Sequence, residues 1–221
     1  MPDNTRVSPA RAAAVRILMD CLEGKRPIHN LPSHQWFRNL EGPDIGLASE
    51  IIYGVLRNLL RCEYLVQCHT DTDLARLDPE VVTILRASVY QLDFMAVPEY
   101  AVVDEAVELT RFLGKSSAAG FVNGVLRSFL RQRHPLPAGN SLSSLSIRYS
   151  HPRWLVRRYI SRYGLKAARK LMARNNLPPD SCLRINTVRI STDDFLRRLE
   201  AEEIPYTLLP DLPGRRPLRL L

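Results

Sequence analysis

At 221 residues and 45% hydrophobic content, the chain is long enough for one well-packed domain and a smaller second unit, which excludes extensive disorder. No apolar run follows a basic cluster in MPDNTRVSPAR, and nowhere do roughly 18 uncharged apolar residues stand together, so neither export nor membrane spanning is indicated and a cytoplasmic chain is expected. The formal charge of +8 is unevenly placed: residues 1–134 hold 15 Lys+Arg against 16 Asp+Glu, and the remaining 87 hold 16 against 7.

In chain order, Ser8 and Pro9 give a cap-then-proline helix start, Ala12, Val15, Ile17, Leu18, Cys21 and Leu22 supply an apolar stripe, and Gly24 stops it. After a polar loop and a short stretch containing Trp36, Phe37 and Leu40, one long helix is expected from about Asp44 to Cys68, with Ile45, Ala48, Ile52, Val55, Leu56, Leu59 and Leu65 inward. Asp78-Pro79 repeats the start signal for a helix that ends before Pro98. Two more helices are expected over 102–112, closed by Gly114, and over 117–133. No stretch before residue 134 alternates like a strand, so the first domain, 1–134, is expected to be all-helical.

Two prolines, a glycine and several serines give 135–147 the composition of a linker, and the domain boundary is expected there. Beyond it, 148–221 begins with two short helices separated by Gly164, and Leu177-Pro-Pro breaks the pattern. Cys182 to Val188 alternates as a strand, 192–203 is helical, and 204–209 is a second strand candidate. Two parallel strands joined by a helix need further strands, and no such element is expected in 210–221. The fold class is therefore mainly α, with an incomplete strand-helix-strand unit at the end. The four cysteines form no CxxC pair and have no histidine at finger spacing, so small buried hydrophobes are expected rather than a metal site.

Several strings follow one another in a familiar order: Ile52-Tyr-Gly-Val-Leu-Arg57, Leu85-Arg-Ala-Ser-Val-Tyr-Gln-Leu92, Val103-Asp-Glu-Ala-Val107 and Gly120-Phe-Val-Asn-Gly-Val-Leu-Arg127, then Tyr149-Ser-His-Pro-Arg-Trp-Leu155, Asn175-Asn176 and Leu183-Arg-Ile-Asn186. Together the chain resembles the N-terminal region of the RsmB (Sun/Fmu) family of ribosomal-RNA cytosine-5 methyltransferases, a NusB-like RNA-binding domain and the start of the module after it. The resemblance covers about residues 8 to 205. It implies small-subunit ribosomal RNA as partner, a catalytic domain outside these motifs as a second partner, and S-adenosylmethionine as the cofactor of the full-length family. It also implies a cysteine thiolate that attacks C6 of cytosine so that C5 accepts the methyl group. A glycine-rich turn after a strand, an acidic residue for the ribose and a Pro-Cys motif would mark that chemistry, and the sequence holds none of the three. Cys182 and His151 are read as structural, and no catalytic, cofactor-binding or metal-binding residue is expected in this chain.

Plain packing readings stand beside the familiar strings. Gly54, Gly120 and Gly124 suit close helix approach, and Tyr90, Gln91 and Asn123 suit polar satisfaction at helix interfaces. RNA contact is expected instead where charge is uncompensated. Arg148, Arg153, Arg157, Arg158, Arg162, Lys166, Arg169, Lys170 and Arg174 lie in a stretch without one Asp or Glu. Their helical steps put much of that charge on one face, with Trp154, Leu155, Tyr159, Ile160, Leu171 and Met172 expected underneath. A second basic group is Arg6, Arg11, Arg16, Lys25 and Arg26, which the resemblance associates with the basic N-terminal element that NusB-like domains use for RNA. Three other readings stay open: a NusB-type antitermination factor binding nascent RNA with a ribosomal protein, a surface that docks an acidic catalytic domain, and a solvated basic face with no partner.

Overall fold

A computed structural model describes residues 7–25, 31, 34–179 and 182–208, and the backbone of 217–220. It divides into two compact units, 1–176 and 177–221. The described part is mainly helical.

In the first unit, helix α1 (Pro9–Leu22) starts where Ser8 accepts the Arg11 N–H. Helices α2 (Pro43–Arg57), α3 (Leu59–Gln67), α4 (Pro79–Phe94), α5 (Glu99–Phe112) and α6 (Ala119–Arg131) complete a bundle. Helix α4 packs against α1, α2, α3, α5 and α6. Its residues from Val81 to Leu92 are buried on nearly every side, as a helix at the centre of a bundle must be. Around it Val15, Ile17, Leu18, Ile51, Ile52, Val122, Leu126 and Phe129 close a single apolar core.

The long helix expected over 44–68 is two helices, broken at Asn58 (φ −116°, ψ 23°). The buried Asn58 amide donates to the Gly54 carbonyl at 3.0 Å, and the free Leu60 N–H at the start of α3 donates to the Ser150 hydroxyl at 3.0 Å. The break therefore depends on a partner far away in sequence. Ile45, expected in the core, is exposed, because the α2 face that meets α1 and α4 is that of Ala48, Ile51, Ile52 and Val55.

The stretch expected as a linker holds the start of helix α7 (Leu142–Tyr149), capped by Ser141, whose side chain accepts the Ser144 N–H at 3.0 Å. Helix α7 packs on α3 and on α8 (Arg153–Asn175), so the unit runs on to Asn176 and the division falls after that residue. Leu145, Val156 and Met172 form a small second core, wholly buried, with Leu142, Tyr149, Tyr159, Ile160 and Leu165 around it. Helix α8 is interrupted at Gly164 (φ 73°, ψ 162°), where the sequence places the gap between two shorter helices.

The second unit holds strands β1 (Cys182–Arg184), β2 (Tyr206–Leu208) and β3 (Pro217–Leu220), with helix α9 (Thr192–Ala201) between the first two. Ser191 caps α9 by accepting the Asp194 N–H at 3.1 Å. Here the expectation for the last residues is corrected. Strand β3 lies between β1 and β2 and pairs antiparallel with both, Leu183 opposite Leu218 and Thr207 opposite Arg219. The strands on either side of the α9 crossover thus run parallel to each other without touching, and β3 supplies their hydrogen bonds. Ile185 and Leu199 are buried beneath Ile190, Phe195, Leu196, Ile204 and Tyr206.

Candidate nucleic-acid interface

The candidate surface is built on the junction between α7 and α8. Ser150 adopts the left-handed conformation (φ 53°), which ends α7 and turns the chain so that Pro152 can precede the first turn of α8. His151, only 7% exposed, fastens the turn. Its Nδ1–H faces the Tyr149 carbonyl, which leaves Nε2 free to accept from the Asn175 amide at 3.3 Å. The Asn176 amide donates to the same Tyr149 carbonyl at 2.7 Å, and the Ser146 hydroxyl donates to the His151 carbonyl at 2.6 Å. The motif residues Tyr149, Ser150, His151, Asn175 and Asn176 therefore hold the two ends of α8 against α7.

On that frame the nine basic residues separate. Arg148 is half-buried and donates to the Pro137 carbonyl at 2.6 Å, and Arg169 is half-buried with its Nε 3.3 Å from the Tyr149 hydroxyl. Both are used inside the fold. Arg174 is exposed and has an interaction of its own. The other six, Arg153, Arg157, Arg158, Arg162, Lys166 and Lys170, are exposed, and no carboxylate among the described residues pairs with them. Four of these cations precede the Gly164 interruption and two follow it.

Trp154, expected underneath, is not under this face but on it, 64% exposed. The phase of α8 explains the difference. Val156 is the wholly buried residue of the first turns, with Tyr159 and Ile160 packed beside it, and this turns Trp154 outward together with Arg157 and Arg158, three and four residues on. Val156, read with Tyr159 and Ile160, is the sequence signal that would have set this phase.

The N-terminal basic group is divided among other tasks. Arg11 donates to the Gln91 side chain at 2.8 Å and lies 3.8 Å from the Glu105 carboxylate, which also accepts the Ser8 N–H. Arg16 lies between two rings, its guanidinium carbon 4.1 Å from the Trp36 centroid and 4.9 Å from that of Phe112. Lys25 is exposed and pairs with Glu23, and that contact raises the ammonium pKa. Arg6 and Arg26 lie outside the described residues.

Elsewhere in the bundle, Arg61 pairs with Asp93 and Arg86 with Glu63. A groove of about 680 Å³ between α5 and α6 is lined by Asp104, Glu105, Glu108, Arg111, Asn123 and Arg127, a mixed-charge wall, and Arg153 of α8 lines a second groove, of about 560 Å³, with Glu63 and Arg86. Asn123, read as an interface residue, lines this groove and accepts from Arg127 at 3.0 Å. Gly120 and Gly124 have open space where a Cβ would stand, so of the three glycines only Gly54 makes a close helix approach.

Among the cysteines, Cys62 is buried and its thiol is pushed up to about 12, chiefly by desolvation. Cys182, expected to be buried, is exposed on β1. No group of three or more metal-ligating side chains occurs among the described residues. No helix among them is long and apolar enough to cross a membrane.

Comparison with known proteins gives the helical bundle a family. The NusB family model matches residues 8–131, more than half of the sequence, and the chain belongs to that family. Residues 151–214 match a second model, the ferredoxin-like domain of RsmF/B-like methyltransferases. Among curated relatives, the probable ribosomal RNA small subunit methyltransferase B of Bacillus subtilis is 34% identical over 164 residues, covering 72% of this chain and 36% of the relative. Ribosomal RNA small subunit methyltransferase B of Pasteurella multocida is 33% identical, covering 87% of this chain and 42% of the relative. That of Salmonella typhi is 30% identical, covering 91% and 46%. The chain thus spans less than half the length of these relatives. The solved structure of PH0851 superposes with a TM-score of 0.67 at 15% identity over 96% of this chain and 49% of the other, a likeness of fold.

Proposed function

We propose that this chain binds small-subunit ribosomal RNA through the exposed cations of α8, as the N-terminal recognition portion of an S-adenosylmethionine-dependent cytosine-C5 methyltransferase. The observation that carries the reading is the set of six exposed cations with no carboxylate partner among the described residues. Lys and Arg held this way release counterions from phosphates, and they position a duplex or strand without choosing its sequence. The Bacillus, Pasteurella and Salmonella relatives, each named a small-subunit ribosomal RNA methyltransferase, support the choice of RNA. The match over 151–214 favours a methyltransferase-type arrangement over a free antitermination factor.

The cofactor does not fit the described residues. Strand β1 leads into α9 through Ile185 to Ser191, a connection without glycine, and no strand-glycine-helix cradle for a nucleoside is formed. The role assigned here is therefore binding and orientation of RNA, and no step of methyl transfer is assigned to this chain.

Filter binding of a small-subunit ribosomal RNA fragment across a salt series tests the reading. The parent should lose affinity steeply with salt, and Arg157→Glu/Arg158→Glu/Arg162→Glu should weaken binding at least tenfold and flatten the slope of log K against log salt by about 2 to 3. Unchanged affinity in a variant that melts like the parent removes the proposal.

A further inference from the structure

Trp154 is the largest side chain on the cationic face of α8, and its indole is mostly in solvent. Among the described residues no ring or guanidinium is stacked on it, whereas Trp36 is covered by Arg16. A single exposed apolar residue on a polar surface is ordinary. Here, however, the residue is ringed by charge of one sign: Arg153 precedes it, and Arg157 and Arg158 lie one turn on, all exposed. Such a setting repels cationic partners and offers three phosphate donors around one flat aromatic surface.

We propose that Trp154 is a stacking platform for an unpaired nucleobase, with Arg153, Arg157 and Arg158 holding the phosphates on either side of it. The ligand is a single-stranded segment of RNA, since a base must leave the duplex stack to present its face to an exposed ring. This inference rests on the reading of α8 as an RNA-binding surface and adds to it a preference: the first half of α8 takes looped or unpaired RNA, and a blunt duplex engages the cations alone.

The full 221-residue chain carrying Trp36→Phe leaves Trp154 as its only tryptophan. Titration with a ten-nucleotide single-stranded oligoribonucleotide should quench its fluorescence, and a blunt RNA duplex of the same length should leave emission nearly unchanged at saturation. Trp154→Ala should weaken single-strand binding by about 5- to 150-fold, the range for loss of one base-aromatic stack, with duplex binding held within about twofold. Trp154→Phe should restore part of the loss. Tyr100 is 73% exposed on α5, away from the cations of α8 in the chain, so Tyr100→Ala serves as the control and should bind as the parent.

If Trp154→Ala binds the single strand as the parent does while the triple charge reversal weakens it, the platform is wrong and the cationic surface stands. If neither variant changes binding, both readings fail. Emission that responds to an acidic peptide and not to RNA would overturn the platform in favour of a protein contact.

Discussion

Tyr90 crosses from α4 to α2 directly over Gly54, and its hydroxyl donates to Glu50. A Cβ built on Gly54 would stand 2.0 Å from the ring, closer than any real contact. Two of the sequence strings that look most characteristic, the one around Gly54 and the one containing Tyr90-Gln91, are thereby explained by a single close approach. Gly54→Ala is expected to destabilise the bundle by roughly 1–3 kcal/mol through overpacking. Gly124→Ala, where the space is open, should stabilise it by up to about 1 kcal/mol through helix propensity. Urea denaturation of the two variants side by side measures both signs, and equal shifts would contradict the account. The polar part of the same strings was readable only in outline: Gln91 is buried and satisfied, but its partner Arg11 sits 80 residues away, beyond the reach of local spacing.

His69 is the residue whose titration should show in stability. It packs edge-on against Phe129 with His134 beside it, its Nε2 is buried without a hydrogen-bond partner among the described residues, and its Nδ1 lies 3.2 Å from the Ser128 hydroxyl. Desolvation, and then the charge of His134, lower its pKa below the ordinary 6.5. In the window just under that value the unfolded chain binds the proton more readily than the folded one. The contribution of His69 to stability is therefore complete above pH 6.5 and is lost as pH falls through the lowered folded value. His69→Gln should flatten the fall in melting temperature between about pH 7 and 5. An NMR titration midpoint for His69 at or above 6.5 would refute the assignment.

Among the elements, those with local punctuation were legible. Ser8-Pro9 and Asp78-Pro79 start helices where expected, and Gly164 separates two helical segments. The elements that sequence misplaced are those defined by distant partners. Asn58 interrupts a run that is helical on both sides, and the Ser150 hydroxyl that accepts from α3 is remote from it. Leu142 and Leu145 give too short an apolar pattern to outweigh the prolines before them, yet with α8 to pack on they make α7. In the sequence a large apolar ring such as Trp154 reads as core, while the smaller, wholly buried Val156 is what fixes the rotation of the helix.

Gly164 has φ 73° and ψ 162°, a region essentially restricted to glycine, so Gly164→Ala should cost about 1–3 kcal/mol. The loss should fall on the small core of Leu145, Val156 and Met172 and leave the main bundle intact. Hydrogen exchange is the measurement: amides of α7 and α8 should open faster in the variant, with α4 unchanged. Uniform acceleration along the chain would show that the two cores do not unfold separately.

For the molecule as a whole, the fold class followed from periodicity, and the RNA reading followed from a charge imbalance that no local rule hides. What periodicity missed was the last strand, because its alternation is confined to Leu218-Arg219-Leu220 behind Pro217, too short a run to stand out, and it takes its shape from two neighbours. The same placement has a consequence during synthesis. Among the described residues neither β1 nor β2 has a bonded strand neighbour until β3 arrives between them, and β3 is made after both. On a translating ribosome the helical bundle has all its pieces early, while the small sheet must wait with two unsatisfied edges for four residues still to be joined.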